Sequence, residues 1–466
     1  MDHKQLYEEY LGKLAHISKK KVWEKWLVQK DGKTPLEGWD RHITACMLEN
    51  EFRYINNLEE DVRAINIGSF AKYALPIVRH TYPNLISKDL VAMQPMPGPI
   101  SLVFYRDVIY GSNKGRIRRG DTAFGSQVGH ATADSTYSSE TVPMEVPAGW
   151  VGDGGTTSFG SSVLSYHPIR PGSVVGETIV GSVTVQFQDD GAGGIVGPEI
   201  SSGTVNYTTG AIAVVFADAP DSLANISISY TYDSEGSADT PSLEFVISSV
   251  PVQAMPRKLR IVWSVEAQQD YAAIHGGDAE ADLVADVGEQ FRYETDREVI
   301  TDLLSVADST SVGVFDLTPG LGQDPLTHKM LLPSKFIQAS GVVHRKVKKQ
   351  IASAVVMGEN VSNEIESLPT FKGDTLKGDG VIFVGKLNNR WDCYRDPDMD
   401  PNTYLVVAKG TNSTVDAGYV LLPYIPLYTT ATYELDDMKL RKGLMTRYAK
   451  KIINKNYYVK GLVTQS

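Results

Sequence analysis

Residues 82–111 read Tyr-Pro-Asn-Leu-Ile-Ser-Lys-Asp-Leu-Val-Ala-Met-Gln-Pro-Met-Pro-Gly-Pro-Ile-Ser-Leu-Val-Phe-Tyr-Arg-Asp-Val-Ile-Tyr-Gly. Pro83, Pro95, Pro97 and Pro99 fix backbone angles and withhold amide donors, so Met93 to Gly98 can be neither helix nor central strand and must form an ordered bend. Beyond it, Leu102, Phe104, Val108 and Tyr110 are apolar on both faces, the pattern of a strand covered on each side. The stretch therefore combines an apolar docking segment, a rigid corner and the first strand of a long hairpin.

Downstream, 111–150 is polar and rich in Gly, Ser and Thr, with a basic cluster at Lys114, Arg116, Arg118 and Arg119. Such a cluster at the tip of a loop serves either acids of an adjacent subunit or DNA, and the first is the expectation. From Val151 to Asp239, one base, Arg170, faces ten acids, a charge of −9 that leaves −2 of the total −11 for the rest. This segment alternates with period two at Val183–Phe187, Val205–Tyr207, Ile212–Phe216 and Ile226–Tyr230, separated by Asp189-Asp190-Gly191, Thr209-Gly210 and Ala219-Pro220-Asp221. It predicts a small all-β domain, sandwich or barrel, with Leu243–Ile247 as the returning strand. Asp278 then N-caps a long helix, with Glu280 and Asp282 in its first turn and a buried stripe of Leu283, Val287, Phe291, Val299, Leu303 and Val306. Run to Ala307 it is about 44 Å long, and Gly288 inside it, about 1 kcal/mol worse than Ala, implies a close contact there. Residues 320–425 mix strands (380–384, 404–408) with a helix near 361–368, and strands near 446–449 and 457–460 end the chain.

Further motifs lie at Arg257-Lys258-Leu259-Arg260, Glu266-Ala267-Gln268-Gln269-Asp270, Ile274-His275-Gly276-Gly277-Asp278 and Asp296-Arg297-Glu298-Val299-Ile300. Others follow at Asp416-Ala417-Gly418-Tyr419, Pro423-Tyr424-Ile425-Pro426-Leu427, Gly443-Leu444-Met445-Thr446-Arg447-Tyr448 and Tyr458-Val459-Lys460-Gly461. Together with Pro-Asn-Leu-Ile, Gln-Pro-Met and the strand ending Tyr-Gly, and in this order, they resemble the major capsid proteins of contractile-tailed (myovirus, T4-like) bacteriophages. The resemblance implies an α+β chain of the HK97-like phage capsid fold: an N-terminal arm (N-arm) over 1–98 and an extended loop (E-loop) over 99–257 with an inserted β-domain at about 150–239. A peripheral domain (P-domain) with the long spine helix would follow over 258–319, an axial domain (A-domain) over 320–425, and a return to the peripheral domain over 426–466. Relatives carry a maturation cleavage after a Leu-x-Glu site, a pattern that Leu58-Glu59-Glu60 and Leu6-Tyr7-Glu8 both fit; the arm is expected to be retained.

With 466 residues, 42% of them hydrophobic, the chain has material for two to four domains. No run of 18 apolar residues exists to span a membrane, and no apolar core follows the first charges as in a secretory signal. Cys46 and Cys393 are expected to be buried, unbridged hydrophobes. An amphipathic helix is predicted over 4–28, with Leu6, Tyr10, Leu14 and Ile17 on one face and Trp23 and Trp26 beyond. Its Lys19-Lys20-Lys21 run reads either as a solvated face or as a contact with a neighbouring subunit or nucleic acid.

No phosphate loop, nucleophile elbow, His-Glu-x-x-His or Cys-x-x-Cys is present, so no catalytic residue, cofactor or metal ligand is assigned. His275 beside Asp278 reads as a helix start, Asp189-Asp190-Gly191 as a turn with too few oxygens for calcium, and Asp396-Pro397-Asp398 as a rigid surface loop. The reading is a non-enzymatic shell subunit forming hexamers and pentamers around double-stranded DNA, contacted without sequence specificity. It would be assembled in the host cytoplasm and reside in the virion capsid, with scaffolding, portal, vertex and decoration proteins as further partners. Candidate subunit-interface residues are Lys114, Arg116, Arg118, Arg119, Trp23, Trp26, Phe104 and Tyr105. A pentameric vertex protein or an encapsulin-type shell shares the pattern. A carbohydrate-binding β-module fused to an enzyme, its sugars stacked on Trp150, Tyr207, Tyr230 and Tyr232, is the reading from another class.

Overall fold

A computed structural model describes residues 17, 41–50, 85–123, 136–320, 322–348, 350–374, 380–409, 417–434 and 439–464. The predicted helix over 4–28, with Trp23, Trp26 and the lysine run, lies outside them except for Ile17, which is helical and buried, and so do both Leu-x-Glu sites. No described helix is long and apolar enough to cross a membrane. The chain divides into two compact units, one of residues 1–106 with 247–466 and one of residues 107–246.

The larger unit is α+β. Its first sheet runs in the order Ala92–Met93, Tyr419–Thr429, Lys439–Ile452, Met255–Ser264, with Tyr433–Glu434 also paired to Lys439–Ile452. Ala92–Met93 joins it parallel, opposite Val420 and Leu421, so the proline bend begins one residue later than expected. The second sheet has seven strands, in the order Val314–Asp316, Tyr458–Thr464, Thr403–Val407, Ala354–Met357, Trp391–Arg395, Ile382–Leu387, Phe371–Gly373. Thr403–Val407 and Ala354–Met357 are buried at every position, as strands covered on both faces must be. Tyr458–Thr464 pairs with Thr403–Val407 and Val314–Asp316, whereas Lys439–Ile452 pairs with Met255–Ser264 and Tyr419–Thr429, so the two closing strands lie in different sheets.

The spine helix spans Ala279–Val306, about 42 Å, and Asp278 caps it by accepting from Glu280 N. Its buried stripe is Ala279, Val284, Gly288, Phe291, Thr295, Asp296, Val299, Ile300 and Leu303. The first turns are thus rotated by one residue from the expected Leu283 and Val287, which are only partly buried against the core. Elements that escaped sequence reading include the helix Leu332–Val347, the strands Ala354–Met357 and Trp391–Arg395, and a separate helix, Val265–His275, between the strand Met255–Ser264 and the spine.

The smaller unit is a β-sandwich. One sheet orders Thr141–Glu145, Ser227–Thr231, Val175–Val180, Val183–Asp189, Ile195–Val196; the other orders Ser158–Val163, Ala211–Phe216, Ile200–Val205. Phe159, Phe187, Ile212, Val214, Phe216, Ile228 and Tyr230, drawn from both sheets, close one core. The strand expected over Val205–Tyr207 ends at Val205, and Asn206 instead caps the following turn by accepting from Thr208 and Thr209 N. This unit holds five bases and sixteen acids, the whole net charge of −11, and the rest of the chain is balanced at forty of each. The chain passes between the units along Ile100–Tyr110 and Leu243–Gln253, which pair as a two-stranded ribbon.

Candidate assembly surfaces

The apolar docking segment is tied to the spine helix by one carboxylate. Ile86 N, Ser87 N and Ser87 Oγ donate to Asp296 at 3.3, 2.8 and 2.5 Å, so a side chain 4% exposed in mid-helix caps the short helix Ser87–Leu90. Burial pushes the Asp296 carboxyl up, and the Ser87 hydrogen bonds oppose it. Leu85, Leu90, Val91 and Met93 then enter the core that also holds Val299, Ile300 and Leu303. The proline corner is held by its remaining polar groups: Gln94 N donates to Leu421 O and Met96 N to Pro423 O, both at 3.0 Å. Ala254 N reaches Pro99 O at 2.9 Å, and Asn50 Nδ2 reaches Met96 O at 2.6 Å. Phe104, a candidate contact residue, is 4% exposed, and Tyr105 is half-buried.

The basic cluster separates into two kinds of residue. Lys114 and Ile117 exchange backbone hydrogen bonds at 3.0 Å across a tight turn with Gly115 at φ 58°. Lys114 itself is 1% exposed, which corrects its placement on an exposed surface. Its Nζ donates to Thr136 O at 3.2 Å, Tyr137 O at 2.9 Å and Ser139 O, and lies 5.6 and 5.2 Å from the ring centres of Tyr166 and Tyr232. A buried ammonium needs such a cage, because three donors left unmet in a low dielectric would be strongly destabilising. Arg116, Arg118 and Arg119 are exposed. Arg119 meets Glu244 at 3.4 Å while 68% of its side chain stays open, a pair of little net strength.

One face of the spine helix carries Glu294, Glu298 and Asp302 at four-residue spacing. Arg257 contacts Glu294 at 3.3 Å and Glu298 at 2.6 Å, and Lys450 contacts Glu298 at 2.7 Å and Asp302 at 2.6 Å. Tyr448 donates to Glu298, and Tyr419 donates to Asp302 at 2.9 Å. Burial pushes the Glu298 carboxyl up, but the bonds from Lys450 and Tyr448 and the Arg257 charge outweigh it and hold it below the usual 4.5. Burial pulls the Lys450 amine down, but its bonds to Asp302 and Glu298 outweigh that and hold it above 10.5. These groups line a groove of about 420 Å³, but each cation already faces a carboxylate, so the groove is a stitch between helix and sheet. Asp396, expected on a surface loop, is fully buried and pairs with Arg297 at 2.5 Å. Sequence reading missed Asp296 and Glu298; the one signal was an acid at 296 on the stripe between Phe291 and Val299.

The sugar-stacking reading fails on burial. Trp150, Tyr230 and Tyr232 belong to the sandwich core, Tyr207 packs against it, and Tyr230 Oη donates to Glu145 at 2.7 Å. Asp189 accepts from Gly172 N, Gly191 N and the Tyr207 hydroxyl, and Asp190 from Ala192 N and Gly194 N, as turn carboxylates do. Among the described residues no group of His, Cys, Asp or Glu could hold a metal ion. Cys46 and Cys393 are buried and unbridged, and burial pushes the Cys393 thiol up to about 12.

Residues 67–466 match the family described as Major capsid protein Gp23. The chain belongs to the Gp23 major capsid protein family. Family membership makes it a major capsid protein, a structural subunit of the virion head that assembles with copies of itself. Among curated relatives, the major capsid protein of Vibrio phage KVP40 is 23% identical over 427 residues, 84% of this chain and 78% of the relative. That of Enterobacteria phage T4 is 26% identical over 403 residues, 80% of this chain and 73% of the relative. The capsid of Myoviridae phage XM1 is similar over 49% of this chain and 79% of that one, at 10% identity and a TM-score of 0.31, too slight a likeness to carry an argument.

Proposed function

We propose that this Gp23-family subunit forms hexamers and pentamers that close an icosahedral head around double-stranded DNA. In this reading 1–98 is the N-arm, 99–257 the E-loop carrying the β-sandwich, 258–319 the P-domain, 320–425 the A-domain and 426–466 the return. Arm and extended loop lie over adjacent subunits. The observation that carries it is the ribbon Ile100–Tyr110 with Leu243–Gln253: its strands leave Ile100 67%, Leu243 52% and Phe245 70% exposed in a single copy. A two-stranded ribbon with such surface is at best marginal in water, so a neighbour must cover it.

The sandwich, with all eleven net negative charges, faces outward, since it gains nothing from packaged phosphates. DNA is contacted without sequence specificity, and the shell assembles in the host cytoplasm with scaffolding, portal, vertex and decoration proteins. Size-exclusion chromatography and negative-stain microscopy of the purified chain test the reading. Shells, tubes or six-fold rings are expected, with residues 107–246 on the outer surface in a density map. A monodisperse monomer at high concentration, with or without scaffold, would overturn it.

A further inference from the structure

The helix Val265–His275 is well terminated at both ends yet buries none of its eleven residues. Ser264 Oγ accepts from Ala267 N at 3.1 Å, and Gly276, at φ 65°, closes the other end through its N–H to Ala272 O at 3.0 Å. Isolated helices of this length are marginal in water, and most helical stability in proteins comes from packing an apolar face. This one presents Glu266, Asp270 and Ile274 in a row at four-residue spacing, all exposed, with Ile274 at 76%. Like charges so spaced destabilise a helix by a few tenths of a kcal/mol, a defect that disappears if a cation sits between them.

No Lys or Arg occurs between Ile261 and Phe291, against seven acids. Glu280 is taken by Lys442, and Asp282 accepts from Tyr271 Oη at 2.6 Å; Glu266 and Asp270 have no ion pair among the described residues. The complementary feature is the exposed pair Arg118 and Arg119, whose guanidinium groups can each fork onto carboxylates. We infer that the helix Val265–His275 is a seat for the Arg118–Arg119 turn of a second copy, with the guanidinium groups between Glu266 and Asp270 and Ile274 covered by the incoming loop. The inference rests on the reading in which the extended loop overlies a neighbour.

Charge reversal tests it on the full chain. Arg118→Glu with Arg119→Glu, and separately Glu266→Arg with Asp270→Arg, alter only exposed side chains, so far-UV circular dichroism and melting of the unassembled protein should match the parent. Each pair is expected to lower the yield of particles, measured by sedimentation, at least tenfold, and the chain carrying all four changes is expected to recover most of it. A second readout is oxidation of particles carrying Arg119→Cys and Asp270→Cys, which should yield disulfide-linked multimers, the native thiols being buried. Parent-like assembly by both reversed chains, or a fourfold variant no better than either pair, would sink this contact while leaving the shell reading intact. A parent that forms no particles would remove both.

Discussion

Lys114 and Asp296 show how far a single residue's role can lie from its appearance in the chain. In the sequence Lys114 opens a basic cluster; in the fold its amine is enclosed by three carbonyl oxygens and two tyrosine rings. Lys114→Ala leaves those carbonyls without their donor and should lower the stability of the sandwich by about 3 kcal/mol. Arg118→Ala, on the exposed side of the same turn, should change it by less than about 0.5 kcal/mol, and chemical denaturation of both variants checks the contrast. Asp296 accepts all three donors at the start of the helix Ser87–Leu90, so Asp296→Ala should cost about 2 kcal/mol and Asp296→Asn, which keeps one acceptor oxygen, about half that. Equal losses in a urea titration would show that the cap is not what Asp296 contributes.

At the level of elements, the spine helix is joined to its sheet by charge as well as by apolar packing. Glu298 has its carboxyl pKa depressed in the folded protein, so its contribution is complete above pH about 4.5 and is lost as pH falls through the depressed value. Lys450, raised above 10.5, contributes below that value and loses its share as pH rises through the elevated one. Unfolding free energy should therefore fall on both sides of that window, and Glu298→Gln should flatten the acid limb; a mutant limb as steep as the parent's would assign it to other carboxylates. In the sandwich, Gly176 lies under Phe187, and a β-carbon there would sit 2.0 Å from the ring. Gly176→Ala should thus destabilise that unit by about 1–3 kcal/mol.

The two units have separate cores: among the described residues the sandwich cluster shares no residue with the three apolar clusters of the larger unit. Each can unfold as its own cooperative unit, so calorimetry of the unassembled chain should resolve two transitions, of which Gly176→Ala lowers one only. A single transition shifted as a whole by that substitution would mean that the units unfold together. Charge is divided in the same way, with one unit neutral and the other carrying −11. A neutral body suits packing against many copies, and a charged module tolerates solvent.

Prolines at 95, 97 and 99, period-two alternation after 183 and an Asp-led helical repeat of apolar residues were legible in the chain because each is a local rule about angles, alternation or capping. So were the bend, three of the eight sandwich strands (Val183–Asp189, Ala211–Phe216 and Ser227–Thr231) and the long helix. The partners were not: that Lys114 turns inward, that Asp296 reaches Ser87 across 209 positions, that Asp396 is buried against Arg297 and that Tyr458–Thr464 pairs with Thr403–Val407 are all long-range pairings. Helix Val265–His275 escaped for the opposite reason, since it buries nothing in its own chain and so shows no amphipathic stripe. Local stereochemistry is written residue by residue, whereas the choice of which polar group meets which is made by the packing that brings distant segments together.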